Sequence, residues 1–127
     1  MHSYLTGQRW RIAFVTSTLF AVTMASLPNH DIPGDPPDTL LHIFAFFVLT
    51  VLAQLAFPSA RAWSLLLGLG TLGAGIEFIQ AIPAVGRDAS LTDWLADMAA
   101  IGLGIVVFQA ICRLLASRSY NRDTETG

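Results

Sequence analysis

Residues 63–82 read WSLLLGLGTLGAGIEFIQAI, and Pro83 follows at once. Wound as a helix, such a stretch is about 30 Å long, the thickness of a bilayer's hydrocarbon core. It carries one ionisable residue, Glu77, and one amide, Gln80, both near its end. Proline cannot continue a helical hydrogen-bond ladder, so Pro83 marks the stop.

Three further apolar stretches lie on either side. Residues 12–27 follow Trp10 and Arg11, residues 40–57 end at Pro58, and residues 91–116 run into a polar tail that bears arginines. The segments between them are short and rich in Pro, Gly, Asn and Asp, as turns are. The expected fold is therefore all-α: a single-domain integral membrane bundle of four transmembrane helices. Composition agrees, since 54% of the 127 residues are hydrophobic and 13% are charged. That charged fraction is about half of what soluble domains carry. The first stretch also fits a secretory signal, with Arg9 and Arg11 before it and the small residues Ala25 and Ser26 near its end. A span is the preferred reading, because the following helices need a partner.

All seven cations are arginines and the net charge is −2, so nucleic acid is not an expected partner. The arginines set an orientation. Arg9 and Arg11, Arg61, and Arg113, Arg118 and Arg122 fall on one side of the expected bundle, and Arg87 alone falls on the other. Under the positive-inside rule both termini face the cytoplasm, and loops 28–38 and 83–90 face outward. Cys112 has no partner for a disulfide or a zinc site and is expected to be a buried, inert thiol.

Polar residues recur in pairs at helical spacing: Asp38 with His42, Glu77 with Gln80, and Asp93 with Asp97. Glu77 lies about 8 Å below the outer boundary, and His42 and Asp97 reach a similar level from helices running the other way. Facing lipid, each would cost roughly 2.5–3.5 kcal/mol near the centre, so they should converge on each other. Gly70 and Gly73 share the face of Glu77 and Gln80, while Ala100 and Gly104 share that of Asp93 and Asp97. This pattern predicts a tight contact between the third and fourth helices at the polar groups. Some of these residues also have purely structural readings. Asp38 is suited to cap the second helix, Ser90 and Asp93 have capping-box spacing, and Gln80 is suited to bond across helices. Glu77 and Asp97 lie inside their helices with no terminus to cap. Arg87 is expected to serve as counter-ion to the cluster.

The run Asp38-Thr-Leu-Leu-His42, then Glu77-Phe-Ile-Gln80, Pro83, Arg87 and Ser90-Leu-Thr-Asp93-Trp-Leu-Ala-Asp97 resembles the VanZ-like membrane protein family over about residues 38–107. Thr39 stands where that family often has Lys, Asp97 where it has Asn, and Ala100 where it has Gly. The resemblance implies a membrane location and a shared polar site. It also implies a link to cell-envelope or exopolysaccharide metabolism, or to teicoplanin-type glycopeptide resistance.

Three functions fit these residues. One is a site acting on an envelope precursor or lipid headgroup. Glu77 would be its general acid or base, His42 its proton shuttle and Asp97 their partner, with Gln80, Arg87, Asp93 and Asp38 holding substrate. The outer half carries seven acids against Arg87, so a lipid pyrophosphate would need a bridging cation. A second is a small proton- or cation-coupled transporter or flippase. The third is a non-catalytic assembly factor, with membrane lipids, an envelope enzyme or a second copy of the chain as partner. No Walker loop, GxSxG elbow, HExxH or dinucleotide fingerprint appears, so no cofactor is expected, with a divalent cation as the alternative. His42 with Glu77, Asp93 and Asp97 would suit Mg²⁺, Mn²⁺ or iron better than structural zinc.

Overall fold

The computed structural model describes residues 2–28 and 38–125. These form four helices, α1 (His2–Ser26), α2 (Asp38–Ala56), α3 (Ala62–Gln80) and α4 (Leu91–Glu125), with a short 3₁₀ turn at Pro83–Val85. No strand occurs among the described residues. Most of the expected outer loop 28–38, and the side chain of Arg122, lie outside them. α1 begins earlier and α4 ends later than their apolar stretches, because neither polar flank contains a proline.

α2, α3 and residues 91–120 of α4 are each long and apolar enough to cross a membrane. α1 falls outside that group. Its apolar stretch is short and interrupted by Thr16, Ser17, Thr18 and Thr23. Three of its hydroxyls turn back onto the helix: Thr18, Thr23 and Ser26 donate to the carbonyls of Phe14, Leu19 and Val22 at 2.7–2.8 Å. Such back-bonding satisfies the hydroxyl without any outside partner.

The core sits mainly between α2 and α4. Phe46, Leu49 and Ala53 meet Ala100, Ile101 and Ile105, with Leu69 and Ile76 joining from α3. α1 covers one side through Phe14, Ala21, Val22 and Ala25. Its lower end is fixed by Arg11, whose Nε donates to the Ala56 carbonyl at 3.3 Å while its guanidinium lies over the Phe57 ring. Phe14 meets the same ring edge-on. Arg11 therefore lies beside the turn that bears Arg61.

Large apolar side chains point outward, among them Phe44 at 70% and Phe78 at 77% exposure, while Asp97 and Thr50 are fully buried. That is the reverse of a water-soluble arrangement, in which ionised residues are almost never buried. Cys112 is exposed rather than buried, because this part of α4 extends past its packing partners.

The small residues on α4 divide between two neighbours, which corrects the single α3–α4 seam that spacing predicts. Gly73 on α3 does admit α4, and a Cβ there would meet Asp97 Oδ2 at 3.0 Å. Gly104, however, faces α2, where a Cβ would meet the Thr50 side chain at 3.0 Å. Thr50 is fully buried and cannot retreat. We therefore predict that Gly104→Ala lowers the thermal stability of the detergent-solubilised protein. Gly102→Ala, where a Cβ meets nothing within 4 Å, should be neutral or stabilising by up to about 1 kcal/mol.

Candidate functional site

Three of the expected residues meet at one point near the upper end of the bundle. His42 is one turn into α2, Glu77 one turn before the end of α3, and Asp97 in the second turn of α4. His42 Nδ1 lies 3.4 Å from Asp97 Oδ1 and 3.9 Å from Glu77 Oε1. All three are withdrawn from the surface, Asp97 completely; Glu77, with 12% of its side chain exposed, forms the outer edge. A Cβ placed on Gly73 would meet Asp97 Oδ2, the Phe46 ring and the Trp94 ring at 3.0, 3.4 and 3.5 Å, so α3 comes close to α2 and α4 at this level. Trp94 is held by its indole N–H, which donates to the Gly70 carbonyl at 3.0 Å.

Glu77 is oriented by the start of α4. The Ser90 backbone N–H donates to Glu77 Oε2 at 2.6 Å, which leaves Oε1 facing His42 and Asp97. Ser90 itself caps α4, its Oγ accepting the Asp93 backbone N–H at 3.3 Å. In a capping box the third residue of the helix reaches back to the cap's N–H. Here Glu77, from another helix, takes that N–H, and the Asp93 carboxylate instead accepts the Thr39 hydroxyl on α2. Asp93 is thereby a tie between α2 and α4 and stands apart from the three-residue cluster.

The remaining expected residues, Arg87, Asp38 and Gln80, lie outside the cluster. Arg87 is not the counter-ion of Glu77 or Asp97. Its Nη1 lies 3.4 Å from Asp38 Oδ2, and its Nε donates to the Leu27 carbonyl at 2.9 Å, so it joins the ends of α1 and α2. Asp38 is the first residue of α2 and Arg87's partner. Gln80 is buried but turns away from Glu77, donating to the Ala25 carbonyl of α1 at 3.2 Å. A three-residue step rotates a side chain by about 60° around a helix, enough to send these two residues to different neighbours.

Two further polar residues, Thr50 and Gln54, are buried although neither is ionisable. Thr50 donates to the Phe46 carbonyl, and Gln54 donates to the Gly104 carbonyl across the α2–α4 contact. Their signal is the four-residue series His42, Phe46, Thr50, Gln54, which runs down one face of α2.

His42, Glu77 and Asp97 offer donor atoms that all lie within 4.8 Å of one another, so the group could hold a metal ion. Chemically the set can also share or pass a proton between imidazole and carboxylate. No family model, curated protein or solved structure matches the chain.

Removing one member of a buried charge pair leaves the other uncompensated, at a cost of about 3–5 kcal/mol. His42→Leu and Asp97→Leu should each destabilise the protein on that scale. The double variant should lose less than their sum, with a coupling above about 1 kcal/mol in an unfolding cycle measured in micelles. Additive losses would mean that the two side chains do not interact.

Proposed function

We propose that this chain is a four-span membrane protein with both termini cytoplasmic, whose buried His42–Glu77–Asp97 site serves cell-envelope metabolism by acting on a lipid-linked precursor headgroup. The observation that carries this reading is the inverted burial: three titratable residues enclosed by a bundle whose outside is apolar. Ionisable groups inside a membrane bundle are expensive to keep and mark functional sites.

α1 is the fourth span in this reading. The hydroxyls of Thr18, Thr23 and Ser26 are satisfied within the helix, which makes them tolerable in lipid. Arg11 and Arg61 lie at one end of the bundle, and Arg87 at the other with the cluster, which supports a cytoplasmic N-terminus and a site opening outward. The resemblance to VanZ-like proteins points to the envelope and to glycopeptide resistance.

Within the site, Glu77 is the group that meets substrate, since its side chain is the least buried of the three, at 12% exposure against 8% for His42 and none for Asp97. It acts as general acid or base toward the headgroup. His42 and Asp97 stand behind it as positioning residues and as the reservoir for its proton. Asp38, Arg87 and Asp93 shape the rim through which a headgroup enters.

Glu77→Gln tests this reading, because the substituted side chain retains an oxygen for the Ser90 N–H. In a deletion strain complemented with a reporter-tagged gene, the variant should accumulate normally, place its C-terminal reporter in the cytoplasm, and fail to restore the wild-type envelope-antibiotic sensitivity and lipid-linked precursor profile. Full complementation by Glu77→Gln would eliminate the chemical role and turn attention to assembly with partner proteins.

A further inference from the structure

We infer that His42, Glu77 and Asp97 form a binding site for one divalent transition-metal ion of the Mn²⁺, Fe²⁺ or Zn²⁺ type. The inference adds a cofactor to the site discussed above, and direct binding tests it separately from any envelope role.

Four buried atoms carry the argument. His42 Nδ1, Glu77 Oε1 and both carboxylate oxygens of Asp97 have no hydrogen-bond partner among the described residues. Buried polar atoms are rarely left so, and a buried carboxylate least of all. These atoms also point at each other instead of scattering toward separate neighbours.

The spacing suits a shared ion. Donors about 2.1 Å from a common metal stand roughly 3.0 Å apart at octahedral and 3.4 Å apart at tetrahedral angles. The Nδ1–Oδ1 separation of 3.4 Å already has the tetrahedral value, and the 3.9 Å to Oε1 closes with a shift of Glu77. Glu77 is the least buried of the three side chains.

Charge balance points the same way. Two carboxylates with a neutral imidazole and a divalent ion sum to zero, whereas an imidazolium alone leaves one negative charge in a low-dielectric interior. Arg87 does not supply the deficit, being held by Asp38 and the Leu27 carbonyl. An imidazole donor beside two carboxylates favours first-row transition ions over Mg²⁺, which prefers oxygen ligands and retained water. Three protein donors leave coordination positions open, as in catalytic metal sites. The Ser90 N–H on Oε2 is the kind of outer contact that orients a ligating carboxylate.

The test uses the full chain in detergent, stripped with chelator and titrated with Mn²⁺ and with Zn²⁺ by calorimetry. One ion should bind per chain, and Asp97→Asn and His42→Ala should each weaken it by more than about 100-fold, beyond the 10–100-fold typical of outer contacts. Circular dichroism checks that each variant keeps its helices. Should a variant unfold, pulsed EPR of the Mn²⁺ form decides the matter in a chain with His2 and His30 replaced by Gln, where His42 is the remaining imidazole. A directly bound nitrogen coupling is expected there. No uptake by the wild-type chain, uptake unchanged by Asp97→Asn in a folded variant, or an Mn²⁺ spectrum without nitrogen coupling would overturn the site.

Discussion

The Asp97 carboxylate is the constraint on which the upper half of the bundle depends. It is completely buried, with neither oxygen hydrogen-bonded among the described residues, and its near neighbour is His42 Nδ1. Taking an ion out of water costs several kcal/mol even after relaxation. Its surroundings must therefore bring compensating charge to it, which demands that α2 and α4 meet at this level. The close approach of α3 at Gly73 completes the enclosure, since a Cβ there would press on the Asp97 carboxylate at 3.0 Å.

Around that point the bundle is organised by polar ties at both ends. Above, Thr39 holds Asp93, Glu77 holds the Ser90 N–H, and Arg87 joins Asp38 to the end of α1. Below, Gln54 reaches the Gly104 carbonyl and Arg11 reaches that of Ala56. Between apolar helices such bonds define register, because in lipid the apolar surface itself distinguishes little between one rotation and another. The upper ties also explain how a site can be both enclosed and reachable. They fix the helix ends around it and leave the edge of Glu77 open.

Much of this is legible in the sequence, for identifiable reasons. Glu77 and Asp97 stand inside apolar helices with no terminus to cap, so convergence is the inexpensive arrangement for them, and His42 shares their depth. Gln80 and Arg87 are harder. Spacing places Gln80 on the same broad face as Glu77, yet the angular difference between them is enough to give it to α1. Arg87 lies in a loop, where periodicity carries no information and the partner depends on tertiary placement. The capping of α4 shows a similar limit: Ser90 and Asp93 announce a capping box, but nothing local reveals that Glu77 takes the Ser90 N–H. Thr50 and Gln54 lie at four-residue steps along the His42 face of α2, but neither carries a charge, so charge alone does not reveal them.

The central claim, that His42 and Asp97 are direct neighbours inside the bundle, is open to solid-state NMR on the wild-type chain in lipid bilayers. With ¹⁵N in the imidazole and ¹³C in the aspartate carboxyl groups, a dipolar recoupling experiment should show the His42 Nδ1 coupled to the Asp97 carboxyl carbon, at the proximity implied by the 3.4 Å Nδ1–Oδ1 approach. The account predicts that this coupling is present and insensitive to a water-soluble relaxation agent. Absence of the coupling, with His42 relaxing as a solvated side chain, would contradict it.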